Sequence, residues 1–231
     1  MHLRLKRDAI LIADAHSINC DRFYDFLNDL ESGKIKTTQL ILFGDIFELL
    51  FGGIKYFINA NAKTIDLLNK ISIGTEIIYL EGNHDFNLKK IFPNIQIIPI
   101  SRQPLKTIYQ HKNILLSHGD NYQKQGYKIY TNIIRNRVVL YILNLIDIVS
   151  NNAISKKLTK VVPAKERYGK IENFKSMINY RISKYDLKNT NYIIEGHYHQ
   201  NSSFDFNDIR YINLPDFKTS KVYTYISNLI K

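Results

Sequence analysis

Five apolar runs along the chain each end at a cluster of Asp, Asn and His residues. The runs and the polar residues that follow them occupy positions 10–16, 40–45, 77–86, 114–120 and 192–199. Short uninterrupted runs of Ile, Leu, Tyr and Phe are typical of strands buried in a parallel sheet. Because side chains at the carboxyl ends of parallel strands meet at one edge of an open sheet, we expect the five polar clusters to form a single site.

Between these strands the pattern predicts helices, and later in the chain it predicts hairpins. A helix with apolar positions at Phe23, Phe26 and Leu27 follows the first strand. The order of the elements predicts one α/β domain over the whole chain, with a helical insertion between two of the strands that carry site residues. The further elements expected are a helix near 59–72, strands at 95–100 and 105–110, the helical insertion at about 122–190, and a closing hairpin at 203–213.

The helical insertion carries most of the net charge. The chain as a whole has a net charge of +11. Positions 122–190 contain 14 Lys or Arg residues and four acidic residues, so the rest of the chain is almost neutral. This segregation predicts a surface that meets phosphates or an anionic membrane surface.

The middle of the insertion is strongly apolar. Residues 138–149 are aliphatic or aromatic at every position except Asn144 and Asp147. One helix face cannot contain so many apolar side chains, so we expect this helix to be covered on most sides. The cover is either the rest of the insertion, packed as an ordinary core, or the acyl chains of an amphiphilic substrate. The run is shorter than the roughly 20 residues that a membrane-spanning helix requires.

Cysteine content and the start of the chain predict the compartment. Cys20 is the single cysteine, so the chain cannot form an internal disulfide. The first residues lead into the first strand without the apolar region of a signal peptide. Both features are expected of a protein that stays in the cytoplasm.

Five of the seven histidines stand in the strand-end clusters, namely His16, His84, His118, His197 and His199. Imidazole nitrogens mixed with carboxylate oxygens suit Mn, Fe or Zn better than Mg or Ca. The pair at positions 14 and 16 could turn to one ion, whereas the pair at 197 and 199 could offer one imidazole to each of two ions. The remaining two, His2 and His111, are expected at the surface.

Taken in order, the cluster motifs resemble those of the calcineurin-like metallophosphoesterase superfamily. The motifs are Asp14-x-His16, Gly44-Asp45, Gly82-Asn83-His84-Asp85, His118 and Gly196-His197-x-His199. The resemblance implies a four-layer αββα sandwich that binds two divalent metal ions, with Mn²⁺ expected before Fe or Zn. It implies Asp45 and His84 as catalytic residues, with His84 over the reacting phosphorus. The implied metal ligands are Asp14, His16, Asp45 and His199 for one ion, and Asp45, Asn83, His118 and His197 for the other.

Within that superfamily the chain is most similar to the UDP-2,3-diacylglucosamine hydrolases of lipid A biosynthesis. The similarity lies in residues 44–48, 83–86 and 118–120, in the tyrosine-rich insertion and in the overall size. It implies hydrolysis of a pyrophosphate to UMP and 2,3-diacylglucosamine 1-phosphate, a lid that holds acyl chains, and peripheral association with the inner face of the cytoplasmic membrane. No obligate protein partner is implied. The expected substrate contacts are Asn83, His84, Tyr122, Lys157 and Arg167.

Three departures from the best-known branch of that family indicate a divergent one. Its members have Arg at the position of His84, an acidic pair near Gly52 and Gly53, and Thr-His-Arg-Pro where this chain has residues 198–201. The departures affect the substrate more than the metal chemistry, because every implied ligand is present.

Three other functions compete with this interpretation. A soluble metallophosphoesterase acting on nucleotides or other phosphodiesters would share the chemistry. A nuclease is disfavoured because the basic residues lie beside an aliphatic helix, without the alternating aromatic residues of stacking nucleic-acid sites. A scaffold that had lost its metals would lack ligand residues. For Glu48, Asp85 and Asp120, supporting and catalytic roles both remain open.

Overall fold

The computed structural model describes residues 3–18, 21–122, 125–163 and 169–230, with the backbone alone at 125, 127, 128 and 130. His2, Cys20 and Arg167 lie outside the described residues. The strands are β1 (Leu3–Arg4), β2 (Ile10–Ile12), β3 (Gln39–Leu42), β4 (Leu50–Phe51), β5 (Glu76–Leu80), β6 (Asp85–Phe86), β7 (Gln96–Ile98), β8 (Leu105–Tyr109), β9 (Lys112–Ser117), β10 (Tyr192–Glu195), β11 (Ser202–Phe206), β12 (Ile209–Asn213) and β13 (Thr224–Tyr225). The helices are α1 (Arg22–Glu31), α2 (Lys55–Ala60), α3 (Ala62–Ile71), α4 (Gln125–Ile134), α5 (Arg137–Val149), α6 (Ala153–Val161), α7 (Phe174–Ile182), α8 (Phe217–Ser220) and α9 (Ile226–Leu229).

Most of these strands belong to two large sheets. In the described part of the chain, one sheet has the order β13-β2-β3-β5-β7 and the other the order β1-β8-β9-β10-β12-β11, while β4 and β6 form a separate pair. β2, β3, β5 and β7 are parallel, as are β9, β10 and β12. β11 and β12 form the closing hairpin predicted from the sequence. The strands that precede the predicted site residues therefore lie inside the sheets and run parallel within each.

Apolar clusters among the described residues separate four layers. Leu27 of α1 and Leu68 of α3 pack on the outer face of the five-stranded sheet. Ile41 of that sheet and Leu116 of the six-stranded sheet belong to the cluster between the two sheets. α7 covers the outer face of the six-stranded sheet. The order helix, sheet, sheet, helix confirms the predicted αββα sandwich.

The helical segment predicted over 122–190 divides between two parts of the structure. Ile178 of α7 packs against Ile193 of the six-stranded sheet, so α7 is a layer of the sandwich. α4, α5 and α6 stand apart from that layer, and Leu140 of α5 packs with Phe57 of α2. The insertion is therefore shorter than predicted, and it rests on the segment that follows β3.

The buried face of α5 is partly polar. Its buried residues are Leu140, Asn144 and Asp147. The side-chain oxygen of Asn144 accepts a hydrogen bond from the Lys55 backbone N–H at 2.9 Å. The carboxylate of Asp147 accepts hydrogen bonds from the N–H and hydroxyl of Ser155, at 3.0 and 2.6 Å. The two residues that interrupt the apolar run thus attach α5 to its neighbours.

Most apolar residues of α5 are exposed, which contradicts the expectation that this helix is covered on most sides. Val149 is 88% exposed and Val138 is 66% exposed. Within the described residues, no single helix is long and apolar enough to cross a membrane. α5 and α6 reach that length only together, with a bend of 103° between them. The other α5 residues with large exposed apolar side chains are Tyr141, Ile142, Leu143, Leu145, Ile146 and Ile148.

The single helix expected near 59–72 is two helices, α2 and α3, that meet at Asn61. The side-chain amide of Asn61 donates to the carbonyl oxygens of Leu49 and Phe57, at 3.1 and 2.8 Å. Asparagine side chains that bond nearby backbone groups compete with helical hydrogen bonding, which accounts for the break.

Candidate active site

The predicted site residues come together where the two sheets meet. Asp14, Asp45 and Asn83 follow β2, β3 and β5 of one sheet, while His118 and His197 follow β9 and β10 of the other. Because these strands are parallel within each sheet, their carboxyl ends deliver the side chains to one rim.

In the described residues the potential ligating atoms form three groups at this rim; one of them, His16 with Glu48 and His84, includes residues not predicted as ligands, and the other two consist of predicted ligands. Each group has its atoms within 4.8 Å of one another. In the first, the Nε2 atom of His199 lies 3.4 Å from a carboxylate oxygen of Asp14. In the second, the Nε2 atom of His118 lies 3.4 Å from a carboxylate oxygen of Asp45. The first group consists of Asp14, His16 and His199, and the second of Asp45, His118 and His197.

Five of these residues have a strained backbone with positive φ. A positive φ costs a non-glycine residue on the order of 1 to 3 kcal/mol, and it persists where the surroundings enforce it. Such strain is common at sites where side chains must be aimed at a ligand. The residues and angles are Asp14 at 52°, His16 at 42°, Asp45 at 51°, His197 at 66° and His199 at 56°.

The buried carboxylate of Asp85 holds two of the ligand-bearing turns together. It accepts hydrogen bonds from the backbone N–H groups of Asp45 at 3.0 Å and Gly82 at 2.9 Å. It also accepts from the Ile46 N–H and the Tyr79 hydroxyl, each at 2.6 Å. Burial, together with repulsion from Asp45, raises the pKa of Asp85 to about 6. Its place in the structure is that of a supporting residue.

Glycine is required at two turns because the ligands approach the backbone closely. A Cβ atom on Gly82 would lie 2.2 Å from a carboxylate oxygen of Asp45. A Cβ on Gly44 would lie 2.7 Å from the Nδ1 atom of His118, and Gly44 also has φ at +77°. A larger residue at either position would displace the ligand loops.

The donor set around His118 fits a metal cation. Its Nδ1 atom is 2.6 Å from the Phe43 carbonyl oxygen, which can only accept, so Nδ1 carries the hydrogen. In the neutral ring the lone pair of Nε2 then faces the Asn83 side-chain oxygen at 3.3 Å and the Asp45 carboxylate at 3.4 Å. Metal-binding histidines commonly donate their other ring nitrogen to a carbonyl in this way. The His118 nitrogen and the side-chain oxygens of Asn83 and Asp45 are then three acceptors that face one another. A divalent ion bound among them would satisfy all three.

Electrostatics at the rim favours charged carboxylates. Burial acts to raise the pKa values of Asp14 and Asp45, but the facing His199 and His118 lower both. Burial acts to lower the pKa values of His118 and His199, but Asp45 and Asp14 raise them above the ordinary value. Burial and the neighbouring His118 lower the pKa of His197 to about 3, so that ring is neutral.

The comparison with known sequences identifies the family. The family model described as calcineurin-like phosphoesterase matches residues 9–201. The chain belongs to the calcineurin-like phosphoesterase family. Members of this family use divalent metals, and both ligand groups of the present site lie inside the matched region.

Several curated relatives of this phosphoesterase share one name. The chain is 27% identical over 164 residues to the UDP-2,3-diacylglucosamine hydrolase of Pseudomonas fluorescens (strain SBW25), covering 68% of this chain and 65% of that protein. It is 30% identical over 115 residues to the protein of the same name from Chromohalobacter salexigens, covering 48% and 46%. The matches thus span less than two thirds of either relative, at identities consistent with a divergent branch. Among solved structures, the E. coli phosphoesterase Yfce aligns with a TM-score of 0.44 at 14% identity, over 93% of this chain and 85% of that one.

His84 of the phosphoesterase is fixed against the second ligand group. Its backbone N–H donates to an Asp45 carboxylate oxygen at 2.8 Å. Its Nδ1 atom lies 2.7 Å from the Glu48 carbonyl oxygen and therefore carries a hydrogen, which leaves Nε2 as the nitrogen that can face a substrate. The ring centre is 4.8 Å from that of His16.

Two further charged residues, Lys218 and Arg135, lie beside the site. No motif in the sequence around them predicted this position. Lys218 donates to the carboxylate of Glu48 at 3.2 Å, and a carboxylate oxygen of Glu48 lies 3.6 Å from His16. Arg135, at the start of the connection between α4 and α5, donates to the Gly82 carbonyl at 2.8 Å and pairs with Asp120 at 3.3 Å. Glu48 and Asp120 thus support the site through these partners.

The other predicted substrate contacts are Tyr122, Lys157 and Arg167, and none of them belongs to the groups of ligating atoms found among the described residues. Tyr122 is 47% exposed with φ at 56°, and its ring centre is 5.5 Å from that of Tyr185. Lys157 is exposed on α6, and Arg167 lies outside the described residues. His111 is exposed, as expected.

Metal binding should release protons from this site. Because His118 and His199 have raised pKa values, they are protonated in the metal-free protein at about pH 6.5, the ordinary histidine pKa, and must lose those protons to bind an ion. Calorimetric titration with Mn²⁺ in two buffers of different ionisation enthalpy should therefore show proton release, and affinity should rise with pH. His118→Gln should release fewer protons, and His111→Gln should behave as wild type. Identical heats in both buffers would contradict this account.

Proposed function

We propose that this phosphoesterase hydrolyses the pyrophosphate bond of UDP-2,3-diacylglucosamine, giving UMP and 2,3-diacylglucosamine 1-phosphate. The observation that carries the proposal is an apolar cavity of about 300 Å³ that begins at Asn83 and His84 and continues under the insertion. A substrate with acyl chains next to its phosphates matches such a cavity. The names of the curated relatives support the same substrate.

The cavity is polar only near the metal site and at a few positions along its wall. Arg135 and Asn83 stand close to the ligand loops, because Arg135 donates to the Gly82 carbonyl at 2.8 Å. Most of the wall consists of large apolar side chains contributed by the segment after β3 and by α5 and α6. Those side chains are Leu49, Phe51, Ile54, Phe57, Phe86, Ile134, Leu140, Leu143, Ile154, Leu158 and Val162.

The chemistry follows from the family and the donor set. Two divalent ions, for which Mn²⁺ is the expected metal, would be held by the two groups of predicted ligands and would supply Lewis acidity that lowers the pKa of water and neutralises charge on phosphate oxygens. Asp45 belongs to the second ligand group and is the residue proposed to bridge the two ions, and His84 stands beside it with Nδ1 held by the Glu48 carbonyl. His84 Nε2 would then bond a phosphate oxygen or the leaving group. Water attacks the UDP-proximal phosphate, so no covalent enzyme intermediate is needed.

Tyr122, Lys157 and Arg167 remain part of the proposal as substrate contacts beyond the metal site. Tyr122 follows directly after the turn that contains His118 and Asp120, and its positive φ is unusual for a bulky residue. Strained residues beside a site are frequently held there for function.

A charge placed in the cavity should separate this function from that of a soluble phosphodiesterase. Leu143→Glu should lower kcat/KM for UMP release from the acylated UDP-sugar in detergent by about tenfold to hundredfold, because a carboxylate is costly to bury without a partner. Hydrolysis of a bis-aryl phosphate should change little. Leu145→Glu, on the same helix but outside the cavity wall, is the matched control, and Asp45→Ala should abolish both reactions. Equal effects of Leu143→Glu on both substrates would instead support a phosphoesterase for nucleotides or other small phosphodiesters.

We also propose that the insertion places the enzyme on the inner face of the cytoplasmic membrane. The exposed aliphatic residues of α5 adjoin the basic helix α6, on which Lys156, Lys157 and Lys160 are all exposed. An apolar face beside lysines suits an anionic lipid surface, to which each basic residue contributes about 1 kcal/mol. An acylated substrate could then enter the cavity without leaving the lipid.

Vesicle sedimentation tests this membrane contact. The double variant Ile142→Glu with Val149→Glu should bind vesicles rich in phosphatidylglycerol at least about tenfold more weakly than wild type, because two apolar contacts become repulsive charges. Ile73→Glu is the control, since Ile73 is 81% exposed and lies two residues beyond the end of α3. Binding of the double variant at wild-type strength would exclude α5 as the membrane contact.

A further inference from the structure

The two loops that carry Asn83 and His118 belong to different sheets. Asn83 follows β5 of the five-stranded sheet, and His118 follows β9 of the six-stranded sheet. Strand pairing fixes the ligands within each sheet, but in the described residues no strand pairing joins the two large sheets. Apolar packing between sheets has no direction, so it does not fix a distance to a few tenths of an ångström. Directional contacts between the two sheets must therefore set the 3.3 Å separation between the Asn83 oxygen and the His118 nitrogen.

One such contact is the hydrogen bond between the His118 ring and the Phe43 carbonyl, and the side chain of Gln103 makes a second one, to the loop that carries Asn83. Gln103 is 6% exposed and lies in the connection that leads from β7 to β8, where the chain passes from one sheet to the other. Its amide nitrogen donates to the Glu81 carbonyl at 2.8 Å, immediately before the Gly82-Asn83 turn, and to the Ile98 carbonyl at 3.1 Å. Its amide oxygen accepts from the His118 backbone N–H at 2.7 Å.

The orientation of this amide is determined by its partners. The two carbonyl groups can only accept, and the backbone N–H of His118 can only donate. The oxygen of Gln103 also lies 3.4 Å from the Ser117 hydroxyl, so both donor positions and both acceptor positions of the amide are used. A buried amide whose donors and acceptors are all hydrogen-bonded connects its neighbours rigidly.

We propose that Gln103 is a positioning residue that sets the distance between the Asn83 and His118 ligands, and so tunes the affinity of the second ligand group alone. Among the described residues, Gln103 makes no direct hydrogen bond to the loops that carry Asp14, His16 and His199, so its direct contacts are to the loops of the second group. Partners that orient metal ligands commonly contribute about tenfold to hundredfold to metal affinity. The inference rests on the proposed two-ion site.

Gln103→Glu and Gln103→Met test the proposal by calorimetric titration of the metal-free protein with Mn²⁺. Glu has nearly the same shape but sets an acceptor against the Glu81 and Ile98 carbonyls, and Met removes the polar contacts. Both variants should weaken one of two Mn²⁺ sites by about tenfold to hundredfold and change the other less than about twofold. His16→Ala, which removes a ligand of the first group, identifies the site: in this background the remaining site should still show the Gln103 effect.

Asn69→Asp is the matched control. Asn69 lies on α3, away from the ligand loops, and its side chain donates to the Ile91 carbonyl at 3.1 Å. Loss of this hydrogen bond should leave both Mn²⁺ affinities unchanged.

If Gln103→Glu and Gln103→Met fail to fold, Gln103→Asn keeps the amide but is too short to bridge both loops, and should show the same weakening. Unchanged affinities, or equal weakening of both sites, would overturn the role of Gln103. A wild-type protein that binds fewer than two ions would refute the two-ion site and not the role of Gln103.

Discussion

The structure depends on holding hydrogen-bond acceptors from two different sheets in one buried place. The Nε2 atom of His118 lies within 3.4 Å of both the Asn83 and Asp45 side-chain oxygens. When the His118 ring is neutral, such a convergence is unfavourable unless a cation lies among the acceptors, so the polypeptide must maintain it by other contacts. Three features hold the acceptors together. They are the positive φ angles at several ligands, the close approach of Asp45 to Gly82, and the five hydrogen bonds that Asp85 accepts.

The insertion is joined to this site through polar contacts and encloses the cavity with apolar ones. Arg135 bonds the Gly82 carbonyl and pairs with Asp120, while Asn144 and Asp147 attach α5 to α2 and α6. Since the buried positions of α5 include these polar residues, much of its aliphatic surface is left outward. One helix thereby contributes to the cavity wall on one side and presents an apolar surface on the other.

The strand-end pattern was sufficient to predict the gathering of the ligands, while the αββα sandwich was predicted from the resemblance of the ordered motifs to the metallophosphoesterases. The pattern succeeded because parallel strands deliver their carboxyl ends to one rim whatever the intervening loops do. The exposure of α5 was not predictable from periodicity, because an apolar run does not say whether a partner covers it. α7 was assigned to the insertion because its apolar positions do not reveal that the six-stranded sheet is the surface they pack against. Arg135, Lys218 and Gln103 act through partners distant in sequence, so their local surroundings carry no signal.

The central claim is that two ions are held side by side and share Asp45. Electron paramagnetic resonance of the protein loaded with Mn²⁺ tests it most directly, because ions about 3.5 to 4 Å apart are magnetically coupled. The account predicts two Mn²⁺ per chain with a coupled spectrum, and loss of the coupling in Asp45→Ala. Two uncoupled ions, or a single ion with an ordinary mononuclear spectrum, would contradict it.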